Sequence, residues 1–399
     1  MRIPTAVSAL VLSTLLPLAL SAQRPDRAFQ TAWAPVRDFF HQTLTAEGVV
    51  GGTLVYFRGD TVLAREYHGF ADLATQRKVD ERTIYHWASV TKTITAIAVM
   101  QLRDRGRLSL DDAAVQRVPE LAMAHSAHGP ISGITVRHLL SHTSGFQNST
   151  WPWVGYKPWY PHEPTAWSQL VAMLPYTETL FAPGAKFSYS NPAYVYLGRT
   201  IEALAGEDFE VYAEKNVLRP LGMSASYYDR TPYHLLGDRS NNYDVADGKA
   251  TANGLDFDTG ITVANGGFNA PVGDLVKYLQ FLVGAPGVSA SARGVLARTS
   301  LEEMWRGVRP LGATSADSIG LGFFIVNKGG VRLIGHTGSQ KAFRSFVYID
   351  PVTQAGVVLV MNTAPAEQTS NPTNRVPGSP RIGVILSGVL DRVVGLMRR

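Results

Sequence analysis

The sequence predicts an α/β (α+β) fold in which one antiparallel sheet is formed from both chain ends, flanked by helices, with a mostly helical domain inserted between them. Three observations predict it. Runs of alternating, β-rich residues bounded by turn residues concentrate near the two ends, at 52–68 and 321–361. The stretch between them divides into segments with helical spacing and recognisable starts. The composition, 45% hydrophobic and 17% charged over 399 residues, suits a globular protein with an ample core.

Taken in order, Met1-Arg2, an apolar run over 6–20 and the small residues Ser21-Ala22 predict a secretory signal peptide over 1–22, cut after Ser21 or Ala22. Export to the periplasm or medium is the expectation, with an uncleaved anchor as the alternative. Residues 23–49 read as helical through Ala32, Val36, Phe39, Phe40 and Leu44. Strands follow at 52–57 and 61–68, joined by Arg58-Gly59-Asp60. After Ser89, the apolar positions Ile94, Ile97, Ala98, Met100 and Leu102 mark a helix reaching Arg105-Gly106. Leu110-Asp111-Asp112 and 135–140 begin or carry short helices, and Ser141-His142-Thr143-Ser144-Gly145 reads as a loop. Residues 147–167, rich in Trp, Tyr, Pro and His, have no period. A short strand is expected over 186–190, then Asn191-Pro192 capping a helix that runs to Ala205. Asn265-Gly266-Gly267 is a turn, and Ala270-Pro271 opens a helix through Phe281-Leu282. Strands are expected at 321–327, 331–336, 342–349 and 356–361. Residues 368–380 look low in complexity. The amphipathic stretch 381–399 reads as a helix packed on the sheet, the alternative being a helix on a membrane surface. The expected division is a discontinuous sheet domain, 23–88 with 310–399, and a helical domain, 89–309. Ser89 then falls at their junction, where clefts form.

Some chemistry is excluded. The chain has no cysteine, hence no disulfide, cysteine nucleophile, thiolate metal site or lipidated cysteine. Its net charge of +5 comes without a dense basic block, so nucleic acid is not an expected partner. Neither His-Glu-x-x-His nor Gly-x-Ser-x-Gly occurs, and no metal or organic cofactor is expected.

What remains is a constellation. Ser89 begins a helix, where free backbone N–H groups favour developing negative charge. Lys92 lies one turn later on the same face, and a lysine in a dry site loses its proton near neutrality and activates the hydroxyl. Tyr189-Ser190-Asn191 offers a phenol for proton transfer and an amide that orients Lys92 or a substrate carbonyl. The plain alternative is a structural tyrosine before a capping asparagine. His336-Thr337-Gly338-Ser339 ends a strand, where glycine admits a ligand to the backbone. The Ser89 and Ser339 N–H groups together make an oxyanion hole, a device worth about 3–4 kcal/mol per donor. The loop Leu140-Ser141-His142-Thr143-Ser144-Gly145 reads as a structural turn beside the cleft.

In this order, Ser89-x-x-Lys92, Leu140 to Gly145, Tyr189-Ser190-Asn191, Gly266-Gly267 and His336-Thr337-Gly338 resemble the serine β-lactamase and penicillin-binding-protein superfamily. The likeness is to the branch of class C β-lactamases, D-alanyl-D-alanine carboxypeptidases and β-lactamase-like esterases, and it runs from about Gly51 to Met361. By that resemblance Ser89 forms the acyl-enzyme, Lys92 and Tyr189 move its proton and Asn191 positions substrate. Ser89 and Ser339 hold the oxyanion, and His336-Thr337 line the far wall. Members that process β-lactams usually carry lysine where this chain has His336. A neutral imidazole does not hold a carboxylate as a permanent cation does, which favours esters, small amides or peptides over β-lactams. Trp151, Trp153, Tyr156 and Trp159, with Tyr160 and His162, either wall the cleft with aromatics or pin down a long loop. The expected function is an exported serine hydrolase taking a small-molecule ester, amide or peptide, with no stable membrane insertion after signal cleavage. The alternatives are a D-Ala-D-Ala carboxypeptidase or β-lactamase and, from another class, a non-catalytic cell-wall or peptide-binding protein.

Overall fold

The computed structural model describes residues 27–148, 164–256, 258–365 and 380–398. The expected signal peptide at 1–22 and all but the last residue of the low-complexity stretch at 368–380 lie outside them. Strands from both chain ends meet in one nine-stranded sheet. In chain order its members are β1 (Gly51–Arg58), β2 (Thr61–Asp72), β3 (Arg77–Lys78), β4 (Arg309–Pro310), β5 (Ser318–Ile319), β6 (Phe324–Lys328), β7 (Val331–Gln340), β8 (Phe343–Asp350) and β9 (Ala355–Met361). Their spatial order is β3-β2-β1-β9-β8-β7-β6-β5-β4, antiparallel throughout. The seam between the two ends is β1 on β9, in register from Gly52 opposite Met361 to Arg58 opposite Ala355.

Period-two alternation sends successive side chains to opposite faces. On the outer face, Leu54, Tyr56, Val357 and Leu359 pack under α1 (Arg27–Ala46) and the C-terminal α5 (Ile382–Met397) through Phe40, Leu44, Val389 and Val393. Each such fully buried side chain is worth about 1.5–3 kcal/mol. Glu47, just past α1, accepts from the Arg381 backbone N–H at 2.6 Å and so ties the two helices together. The stretch from residue 381 is thus a helix on the sheet. On the inner face, Val55, Phe57, Val358 and Val360 join a larger core. It contains α2 (Thr91–Asp104), α3 (Asn191–Ala205) and α4 (Val272–Val283).

Several local expectations change. Ser89 lies in a single 3-10 turn, Ala88–Val90, and α2 proper begins at Thr91. Residues 186–190 form no strand; they are tied to the preceding loop by Ser188 N–H donating to the His142 carbonyl at 2.9 Å and Ser190 N–H donating to His142 Nδ1 at 3.0 Å, not by a ladder. The cap of α3 is Ser190, whose Oγ accepts from Ala193 N–H at 3.3 Å, and Asn191 is the first helical residue. Residues 110–112 make a turn because the Asp112 carboxylate accepts from Ser109 N–H at 2.9 Å and competes with helix formation. Asn265 and Gly266 close a one-turn helix, Val263–Gly266, before a strand at Phe268–Pro271. His336, Thr337 and Gly338 sit within β7, which continues to Gln340.

Candidate active site

The turn that carries Ser89 is held from both sides. Strand Ile84–His86 pairs with Phe268–Pro271, and Trp87 extends the pairing through its N–H to the Phe268 carbonyl and its indole to the Ala270 carbonyl, both 2.9 Å. The chain then turns through Ala88 at φ +48°, a left-handed conformation that costs a non-glycine residue about 1–3 kcal/mol. Thr91 Oγ1 donates to the Ala88 carbonyl at 2.6 Å, fixing the bend. Within the turn and the start of α2, Ser89 alone is partly exposed.

Lys92 is fully buried. Its Nζ lies 3.1 Å from Ser89 Oγ and donates to the Asn265 carbonyl at 2.8 Å. No carboxylate pairs with it among the described residues. It stands instead 5.1 and 5.6 Å from the ring centres of Tyr189 and Tyr194. Desolvation without a counter-charge drives its pKa well below the usual 10.5. The Tyr189 hydroxyl faces Ser89, and burial of that phenol pushes its pKa up. The phenol is therefore protonated near neutrality, and the basic group nearest Ser89 Oγ is the Lys92 amine.

The loop at 141–145 does more than turn. His142, at φ +53° and fully buried, stacks on Tyr189 with ring centres 4.4 Å apart. Its Nδ1 accepts from Ser190 N–H at 3.0 Å, which aligns Tyr189 from behind. Its Nε2 is buried without a partner. Burial and the nearby Lys92 hold the ring neutral.

His336 is placed otherwise than expected. It is 1% exposed and so does not line the cleft wall: Phe324 and Tyr189 cover it, with ring centres 4.8 and 6.2 Å away. Its Nδ1 lies 2.6 Å from the Thr337 carbonyl, and its Nε2 is buried without a partner. Burial, then Lys92, lower its pKa to about 3, so it carries no charge near neutrality. Thr337 and Ser339 are exposed. β6 pairs with β7 only as far as Gly335, whereas β8 pairs through Gln340. From His336 to Gln340 one edge of β7 thus has no strand partner among the described residues. Gly338 lets this stretch meet the turn that carries Ser89, since a Cβ there would stand 2.4 Å from the Trp87 carbonyl oxygen. The glycine admits backbone, not a ligand.

Asn191 does not orient Lys92. Its Nδ2 donates to Asn148 Oδ1 at 3.2 Å, while its carbonyl accepts from Asn265 Nδ2 at 3.3 Å. Asn265 is the residue sequence reasoning missed, because it acts on Lys92 through a backbone oxygen. Ser89, Lys92 and Tyr189 come together, with Gly338 and Ser339 across from them. Trp151, Trp153, Tyr156 and Trp159, with Tyr160 and His162, lie outside the described residues. Among the described residues no group of His, Asp or Glu has metal-binding geometry.

The family described as Beta-lactamase matches residues 36–377. "Protein flp" of Staphylococcus aureus (strain COL) is 24% identical over 314 residues, 79% of this chain and 60% of its own length. The chain thus spans about 60% of that relative. An octameric penicillin-binding protein homologue from Pyrococcus abyssi superposes with a TM-score of 0.74 at 25% identity, covering 91% of this chain and 77% of that one. A class C beta-lactamase superposes at 0.72 and 19% identity, covering 92% and 96%, a likeness of fold.

Proposed function

We propose that this chain, which belongs to the beta-lactamase family of serine hydrolases, acylates Ser89 with esters or small amides and peptides and releases the acyl group to water. The observation that carries the reading is the buried, carboxylate-free Lys92 at 3.1 Å from Ser89 Oγ. Neutral Lys92 takes the hydroxyl proton as Oγ attacks the carbonyl carbon. The Tyr189 phenol donates to the leaving oxygen or nitrogen and is reprotonated by Lys92, which holds the proton taken from Ser89. The N–H groups of Ser89 and Ser339 receive the oxyanion. Water then takes the leaving group's place, its proton passing to Tyr189 as the phenol proton moves to Lys92. Lys92 returns a proton to Ser89 Oγ as the acyl bond breaks.

Preference for substrates without a carboxylate follows from His336. Where β-lactam-processing relatives usually present a lysine, this chain has a buried ring that is uncharged near neutrality. Residues 1–22 support export as part of the same reading.

Incubating the protein with a fluorophosphonate ester and, separately, with a fluorescent penicillin tests both halves. The expected result is a phosphonate adduct on the peptide containing Ser89 and no penicillin adduct. Penicillin labelling at Ser89 would shift the substrate class to β-lactams and D-Ala-D-Ala peptides. Folded protein that takes neither reagent would be a binding module.

A further inference from the structure

The two N–H groups assigned to the oxyanion sit on different elements, and each has beside it a side chain that reaches across. His86 ends the strand leading to the turn that carries Ser89, and Gln340 follows Ser339 at the end of β7. His86 Nε2 lies 2.9 Å from the Gln340 amide, placed as Oε1, and His86 Nδ1 lies 3.0 Å from Asn269 Oδ1. His86 and Asn269 are each 1% exposed.

The hydrogen-bond inventory fixes where the protons are. Asn269 Nδ2 donates to the carbonyls of Gly267 at 3.0 Å and Asp229 at 3.3 Å, which leaves Oδ1 for the imidazole. An oxygen facing Nδ1 requires that Nδ1 carry the proton. Burial, with the Arg239 guanidinium, lowers the His86 pKa to about 4, so the ring is neutral and Nε2 is a lone pair. The Gln340 amide must then present its NH2 to that nitrogen, a half-turn of a group whose N and O are interchangeable in shape. Phe343, with ring centres 6.0 Å apart, closes the other side of the imidazole.

We infer that His86 and Gln340 are positioning residues, whose hydrogen bond, with the Trp87 carbonyl seated on Gly338, sets the distance between Ser89 and Ser339. This rests on the acyl-transfer reading above. The clamp touches no substrate; it acts on the separation of two donors used in the transition state, so its loss shows in kcat rather than KM.

Three measurements on the full chain test it. Long-range proton–nitrogen NMR of the histidine rings should find His86 with its proton on Nδ1, and a proton on Nε2 instead would overturn the clamp. Gln340→Leu should lower kcat about 10²-fold with KM unchanged, as a small misplacement of catalytic groups does. Unchanged kcat in this variant, folded, overturns the proposal. Gln340→Glu supplies an acceptor that calls for a proton on Nε2 and so raises the His86 pKa. Divided by the rate of the unaltered protein, its rate should be highest at low pH and fall as pH rises through that raised value. A ratio flat with pH would refute the bridge even if Gln340→Leu fails to fold. Absence of a phosphonate adduct in the unaltered protein would break the acyl-transfer reading while leaving the tautomer result standing. An Nε2 proton with normal turnover would break the clamp alone.

Discussion

On the outer face of the sheet, α1 and α5 bury Phe40, Leu44, Val389 and Val393 against Leu54 and Leu359. On the inner face, the same sheet backs a cleft with a buried lysine lacking a carboxylate, two residues at positive φ and two imidazole nitrogens without partners. The outer layer is apolar packing alone, whereas the inner face, which carries the larger core, also holds desolvated and strained groups around Ser89. The contrast separates stability from chemistry: apolar burial on both faces offsets the few groups around Ser89 that weaken the fold.

The sharpest way to break the comparison is at Ser89. Ser89→Ala should lower turnover by about 10⁴-fold or more while leaving the melting temperature unchanged. A variant that keeps its rate would show that the cleft is not where catalysis occurs. The converse substitution is Phe40→Ala, in the outer layer. It should cost about 3–5 kcal/mol in denaturant unfolding with kcat unaltered in the folded fraction. A drop in kcat there would mean the two faces are coupled.

Lys92 gives a pH test with a definite sign. Its pKa in the fold lies well below the unfolded value of 10.5, so between the two values the unfolded chain binds the extra proton. Stability therefore rises with pH across that window. Lys92→Met should be more stable than the unaltered chain at and below neutrality, with the advantage shrinking toward pH 10.5. Parallel stability curves would show that the lysine is not desolvated. The smallest expected effect is at Ala88, whose φ of +48° suits glycine. Ala88→Gly should raise stability by about 1 kcal/mol or less, since relief of strain is partly offset by the freedom glycine gives the unfolded chain. A loss would locate the strain elsewhere.

How much of this was legible in the sequence depended on distance along the chain. The long strands were, because each has one face on a helical layer and alternates accordingly. β3, β4 and β5 have two residues each and are too short to show a period. The spacing of Ser89 and Lys92 reads as one face of a turn, and they do meet. The burial of His336 was not legible, because it depends on Phe324 and on Tyr189, nearly 150 positions earlier in the chain. Residues 186–190 read as a strand from their side-chain preferences; what a strand needs besides is a ladder partner, which only the folded chain reveals. Nor did any residue type announce the Asn265 carbonyl, a group every amino acid possesses.

The seam of β1 on β9 also has a consequence in time. Arg58 leaves the ribosome about 300 residues before its partner Ala355, which at ordinary elongation rates is roughly 15–60 s. Throughout that interval the β1–β2 hairpin exposes an apolar edge with nothing to pair. The helical segment, rich in local contacts, can order meanwhile, but the sheet closes only at the end of synthesis. A nascent chain of this design depends on holding its first hairpin soluble until its last strand arrives.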